Sequence, residues 1–274
     1  MSTVAAAAVS RPSGLAYHLR VLRTIAAVEF KLKYADSALG YVWSLAKPLS
    51  YFGVLWLVFG RLFDTGIERF PLYLLLGIVL YLFFVDACGM ALTSIVYRGP
   101  LLRRLAFPPI VIPVSVTVTG AITFFVNAAA AAVFVGVSGA SPGLDWLLLV
   151  PLVLELYVFI VGIGLILAAL FVRLRDIGPL WELAAQILIF ATPVMYPITL
   201  LPDWAQRVAF VNPLVQVMQD VRHVVLGDAT SVPIASDILG GSFGHVVPIA
   251  VALAVLAVGL AVFRREAPRF AELV

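Results

Sequence analysis

Of 274 residues, one is cysteine, three are lysine and three are histidine, and each scarcity removes a class of function. Cys88 stands alone within an apolar run, which excludes an intrachain disulfide and any multi-cysteine metal site. His18, His223 and His245 are too far apart for metal-ligand spacing and read as polar surface residues. None of Lys31, Lys33 and Lys47 follows a glycine, so a G-x-x-x-x-G-K-[ST] loop is impossible and the chain cannot hydrolyse nucleotide by that route. A G-x-S-x-G nucleophile elbow is also missing. The formal charge of +3 is spread between apolar runs with no nucleic-acid motif beside it, which argues against nucleic acid as a partner.

Charge itself is scarce: 12% of residues are Asp, Glu, Lys or Arg, against about a quarter in a soluble domain. The hydrophobic fraction is 63% and the mean hydropathy +1.09, so the chain reads as an all-α, multi-span membrane protein. With about twenty apolar residues needed per crossing, six spans are expected: Ala46 to Phe59, Leu72 to Val96, Ile110 to Val137, Trp146 to Val172, Leu180 to Ile198 and Val246 to Phe263. The first is short and must borrow Tyr41 to Ala46 at headgroup level, with Lys47 snorkelling outward. Of the 18 Lys and Arg residues, all but Arg61, Arg69, Arg207 and Arg222 fall on one side of these alternating spans. That side is expected to be cytoplasmic and to hold both termini.

Residues 1–19 are expected to form a disordered cytoplasmic tail. From Arg20 onward Val21, Ile25, Val28, Leu32, Ala35 and Leu39 share one helical face, and Arg20, Thr24, Ala27, Lys31 and Tyr34 lie opposite. A basic amphipathic helix beside a hydrophobic span is expected to lie in the bilayer interface. Between the fifth and sixth spans, Trp204, Val208, Val211, Val215, Met218, Val221 and Val225 keep helical spacing. Two short helices broken at Asn212 and Pro213, dipping back toward the bilayer, would produce this pattern.

Two acids, Asp86 and Glu155, fall within spans, where a carboxylate faces a bundle interior, a partner or water. They form either a polar patch along a conduit or hydrogen bonds between helices. The turn from Tyr97 to Pro109 carries Arg98, Arg103 and Arg104 between prolines. This is a cationic ledge suited to phosphate or pyrophosphate, or else ordinary positive-inside anchoring. The turn Arg173-Leu174-Arg175-Asp176 mixes signs, as a loop docked on a partner protein would.

These pieces, in order, resemble the permease subunits of ABC-2 type polysaccharide exporters, which move O-antigen, teichoic acid, capsule or galactan chains. The resemblance rests on Lys31-Leu32-Lys33-Tyr34 followed by Ser37, Leu39, Gly40, Trp43 and Pro48, and on Tyr73-Leu74 with Gly77 and Phe83-Phe84. It continues through Ser94-Ile95-Val96 leading to Arg103-Arg104, Phe107-Pro108 and Pro113, and through Arg175-Asp176-Ile177. It ends with Thr192-Pro193-Val194, Tyr196-Pro197, and Asn212-Pro213-Leu214 with Arg222. The start Val28-Glu29-Phe30-Lys31 and Gly99 depart from the usual pattern.

The resemblance implies a homodimer in a bacterial cytoplasmic membrane, docked on two copies of a separate ABC ATPase. That partner would hold ATP and Mg, leaving no cofactor on this chain. It implies an interface helix at 20–40, with Arg23, Glu29, Phe30, Lys31, Lys33 and Tyr34, joined by Arg175 and Asp176, touching the ATPase. It also implies a gate helix at 98–108 admitting a lipid-linked polysaccharide, whose pyrophosphate would meet Arg98, Arg103 and Arg104, and exterior gate helices at 199–228. Tyr51, Tyr73, Tyr81, Phe84, Tyr157 and Tyr196, with Asp86 and Glu155, are then expected to line the conduit, although each aromatic taken singly also fits an interfacial belt. The alternatives are an ABC-2 drug or lipid exporter of similar topology and a membrane-embedded glycan transferase.

Overall fold

Asp86 is the one charged residue between Phe70 and Tyr97, and this segment forms a helix of 28 residues, about 42 Å at 1.5 Å per residue. It is apolar on every face, as a helix enclosed by others must be. In the computed structural model, which describes residues 20, 22–29, 42–62, 67, 69–99, 108–139, 143–227 and 232–270, this helix is the axis of the molecule. Of its most apolar stretch 78% is buried, against 11% for the helix before it.

In chain order the elements are α1 (22–29), α2 (Val42–Leu57, closing in a π-helical turn Val58–Leu62), α3 (Phe70–Tyr97) and α4 (Val111–Val137). There follow α5 (Leu149–Arg173, entered through a 3-10 turn Leu144–Leu148), α6 (Ile177–Ala191), α7 (Asp203–Val211) and α8 (Pro213–Leu226). Last come α9 (Ala235–Leu239) and α10 (Val246–Glu266, continuing as Ala267–Arg269). No strand occurs among the described residues. α2, α3, α4, α5 and α10, with their flanking turns, are long and apolar enough to cross a membrane.

Small residues let these helices approach closely. Ala87 and Ala91 on α3 are fully buried; a Cβ placed on Gly120 of α4 would come within 2.8 Å of Ala87, and one on Gly164 of α5 within 2.8 Å of Ala91. Ring pairs fill the next layer, Phe83 with Phe124 at 4.5 Å and Phe84 with Phe159 at 5.6 Å between centroids. α5 and α10 meet backbone to backbone, and a Cβ on Gly162 would stand 2.7 Å from the Leu256 nitrogen and 2.9 Å from its Cα. Backbone cannot step aside, so Gly162→Ala is expected to cost about 1 to 3 kcal/mol. Gly53→Ala on the outer face of α2, where nothing lies within 4 Å, should cost nothing measurable; thermal unfolding of the two detergent-purified variants gives the comparison.

An apolar cluster of Ile95, Val111, Ile112, Leu165, Val172, Phe263 and Phe270 ties together the C-terminal ends of α3, α5 and α10 and the start of α4. Arg98, Arg173, Arg175, Arg264, Arg265 and Arg269 therefore share one end of the bundle. α1 joins this end through Leu22 and Ile25, with Ala26 buried and its carbonyl accepting from the Thr119 hydroxyl at 3.3 Å. Its buried side differs from the expected stripe, since Val28 is 47% exposed and Glu29 turns inward. The cause is an ion pair from Glu29 to Arg98, which outweighs the burial of one valine.

α6 runs antiparallel to α3, with Trp181 against Phe84 at 5.9 Å, the Tyr81 hydroxyl donating to the Ala185 carbonyl, and Tyr73 donating to the Tyr196 carbonyl at 3.1 Å. Residues 177–197 thus lead from the basic end to the opposite end. The helix within them has only 15 residues, about 22 Å against a hydrocarbon core of about 30 Å. It stops at Ala191 because Pro193 forces Thr192 out of helical geometry, to ψ 140°. The break expected at Asn212 and Pro213 is present: Asn212 caps α8 by accepting from the Leu214 amide at 3.0 Å. α7 buries Gln206 and Phe210, while Trp204 and Val208 of the expected apolar stripe face outward at 70% and 65% exposure.

Candidate functional site

One turn separates Trp43 from Lys47 on α2, so both point to the same side. Across from them α3 presents Asp86, Met90 and Thr93, α4 presents Thr123 and Asn127, and α6 presents Trp181, Glu182 and Gln186. Together they line an open cavity of about 830 Å3. The Lys47 ammonium contacts the Asp86 carboxylate at 2.6 Å, with 48% and 35% of the two side chains exposed. Glu182 is exposed and has no ion-pair partner among the described residues. Asn127 is 9% exposed, and its carboxamide oxygen has no hydrogen-bond partner among the described residues. Aromatic faces beside amides and carboxylates can stack on apolar rings and accept from hydroxyls.

Of the residues expected to line a conduit, Asp86 lies in this cavity. Tyr51 faces outward from α2 at 44% exposure. Tyr73, Tyr81 and Phe84 are buried between helices and pack α6 against α3. Tyr157 lines a separate apolar recess of about 570 Å3 between α3, α4 and α5, its hydroxyl 3.2 Å from that of Thr117. Tyr196 donates to the Phe190 carbonyl at 3.0 Å. One carboxylate oxygen of Glu155 is buried without a partner among the described residues, away from the cavity. Trp181, Glu182 and Gln186 were not singled out from sequence, and Trp43 was named only as part of the resemblance and Lys47 only as a residue snorkelling outward, whereas Lys47 turns to Asp86 in the cavity; the available signal was polar and indole residues at three- and four-residue spacing inside apolar helices.

With both side chains of the Lys47–Asp86 pair more than a third exposed, the pair adds at most about 1 kcal/mol to stability. Lys47→Met, which leaves Asp86 without a cation on an apolar helix, is expected to destabilise purified protein more than the double variant with Asp86→Asn, read by thermal unfolding. Equal melting of the single and double variants would show that the pair is inert.

At the other end of α3 a second polar cluster holds the turns together. Arg222, counted from sequence among the exterior loop cations, is fully buried and pairs with no carboxylate among the described residues. Its guanidinium donates to the carbonyls of Tyr73 at 2.9 Å, Pro193 at 2.7 Å and Val194 at 2.8 Å, and lies 3.4 Å over the Tyr73 ring. Burial lowers its pKa to about 10, so it stays protonated at neutral pH. Asp220 on the same helix accepts from Gln216 at 2.5 Å and lies 3.0 Å from the His245 ring, joining α8 to the start of α10. Burial raises the Asp220 carboxyl above its ordinary value, opposed by those two bonds. His245, expected as a surface residue, thus finds a carboxylate.

At the basic end, Arg98 of the expected phosphate ledge is tied to Glu29 of the expected docking helix, by Nε to Oε1 at 2.8 Å and by a second Nη2–Oε2 contact. Arg23 is exposed, beside Arg20, Thr24 and Val28 around a shallow recess. Arg175 lies 5.1 Å over the Phe171 ring, and Asp176 is exposed at the start of α6. Arg103, Arg104, Phe30, Lys31, Lys33 and Tyr34 lie outside the described residues. Among the described residues no group of three His, Cys, Asp or Glu side chains could hold a metal ion.

Long apolar helices, an open polar cavity between them and cations gathered at one end define the membrane subunit of a multi-pass transporter. The chain belongs to the ABC-2 type transporter family, which it matches over residues 20–226. It is similar to two O-antigen export system permease proteins RfbA of Klebsiella pneumoniae, 25% and 24% identical over 260 residues, covering 94% of this chain and 96% of each relative. It is also similar to the O-antigen export system permease protein RfbA of Myxococcus xanthus, 29% identical over 198 residues, covering 72% of this chain and 76% of that one.

Proposed function

We propose that this chain is the membrane subunit of an exporter for a lipid-linked cell-surface polysaccharide of O-antigen type, working as a homodimer in a bacterial cytoplasmic membrane. Two copies of an ABC ATPase bind ATP and Mg and dock at the basic end, on α1 and the Arg175–Asp176 turn. Six crossings, counting residues 177–197 as the fifth, put both termini on that cytoplasmic side, in keeping with its excess of arginine. The ledge at 98–108 admits the anionic lipid anchor, and the helices at 199–228 form the exterior gate.

The observation that carries this reading is the open cavity on α2, α3 and α6, in a chain matched almost end to end by O-antigen permeases. A growing polymer needs a trough that a second copy can close, with stacking faces and hydroxyl acceptors along it, rather than a sealed pocket. The test is deletion and complementation: without this chain the lipid-linked polymer should accumulate inside the cell and vanish from the surface, and re-expression should reverse both. Unchanged surface polymer in the deletion strain would overturn the reading.

A further inference from the structure

The charge of the cavity wall is more selective than an export passage requires. Among the described residues lining it, the charged groups are Lys47, Asp86 and Glu182. Lys47 is already engaged by Asp86 at 2.6 Å, so among the described residues Glu182 remains a carboxylate without a cation. The other polar groups are neutral, and Asn127 supplies a buried carboxamide oxygen that no donor among the described residues satisfies. Such a wall asks for donors, and sugar hydroxyls are donors. A phosphodiester or a uronate carboxylate is an acceptor only. At Glu182 on the cavity wall it would meet a like charge, and the repulsion grows as a polymer filling the trough displaces water from between them.

Among the described residues, the guanidiniums that could have paired with an anion are elsewhere. Arg98 is tied to Glu29, and Arg173, Arg175, Arg264, Arg265 and Arg269 lie at the same end of the bundle, outside the cavity. One anionic group on a lipid anchor could be met there once. A polymer with an anion in every repeat would carry each of them past Glu182, and in a dimer past two copies of it.

We infer that the passage selects an uncharged, hydroxyl-bearing polymer and rejects one with a phosphodiester or carboxylate in each repeat, with Glu182 as the discriminating residue. The inference rests on the export reading and names its substrate class.

The test uses the full complex of this chain with its ATPase in inside-out vesicles, given two polymers of equal length on the same lipid anchor, a neutral hexose polymer and a poly(glycerol phosphate). The hexose polymer is expected to enter the vesicles, and to stimulate ATP hydrolysis, about tenfold or more better than the phosphate polymer. Glu182→Gln should narrow that gap and Glu182→Arg should narrow it further, mainly by raising entry of the phosphate polymer, which a merely structural role would not do. Equal entry of both polymers into wild-type vesicles, or a gap untouched by either substitution, overturns the inference and leaves export standing. Entry of neither polymer overturns the export reading and the inference together.

Discussion

Arg222→Met is expected to abolish export and to lower the yield of folded protein. Methionine roughly matches the length of the side chain but donates nothing, so the carbonyls of Tyr73, Pro193 and Val194 lose their shared donor in a fully buried site. A buried polar group left unsatisfied costs about 1 to 3 kcal/mol; the Val194 carbonyl loses the donor described for it, while Pro193 keeps a long bond from the Tyr73 hydroxyl at 3.5 Å and Tyr73 lies in the first turn of α3. Removing a buried guanidinium recovers some desolvation energy, leaving a net loss of about 1 to 3 kcal/mol. Arg222→Lys keeps the charge but not the planar fork that spans three acceptors, and should fall between the two. Gly77 supplies an independent check. A Cβ there would overlap the Arg222 Nη2 atom, so Gly77→Ala should reproduce much of the defect by displacing the guanidinium, with no polar group removed. Thermal unfolding of purified protein and surface polymer in cells are the two readouts; a methionine variant with wild-type melting would show that the turn at 192–197 is held by something else.

Glu29→Arg is expected to uncouple the bundle from its ATPase. Arg98 and Glu29 form a two-pronged pair with 18% and 26% of their side chains exposed, and hydrogen bonds to charged groups in such settings contribute about 1.5 to 3 kcal/mol. That pair, with Leu22, Ile25 and Ala26, fastens α1 to the end of α3. Reversing Glu29 sets two guanidiniums against each other and should release α1, with export and ATPase co-purification both falling. The exchange Glu29→Arg with Arg98→Glu restores opposite charges and should recover most of both. A double variant as defective as the single one would mean that each residue acts through a separate partner.

The two clusters were unequally legible. Asn212-Pro213 announces a helix start because proline suits the first helical position and asparagine caps it, and both effects are local. Pro193 likewise ends α6 by local sterics, but its carbonyl matters more, and nothing local shows that Arg222, 29 residues later, will seek it out. Arg222 looked like an exterior loop cation because charge counting assumes that arginine prefers water; a ring of carbonyls and a tyrosine face is the exception that only folding can assemble. The conduit shows the same division. Tyr73, Tyr81 and Phe84 lie on a helix that is apolar all round, so its periodicity carries no facing information, and all three are buried between helices. Trp43 and Trp181 lie 138 residues apart in the chain and meet one cavity only because α6 returns antiparallel along α3.

Partition between water and lipid depends on short stretches of side chains, so the sequence by itself determined the apolar runs, the ends of the five long helices to within a few residues, the helix break at Asn212, and the gathering of cations between alternate runs; the run from Leu180 to Ile198 instead holds a helix that stops at Ala191. Which face of each helix meets another, which carboxylate keeps its cation and which is left bare, was decided by tertiary packing alone. Those outcomes depend on distances between residues far apart in the chain, set by close glycine and alanine contacts that hydropathy does not register.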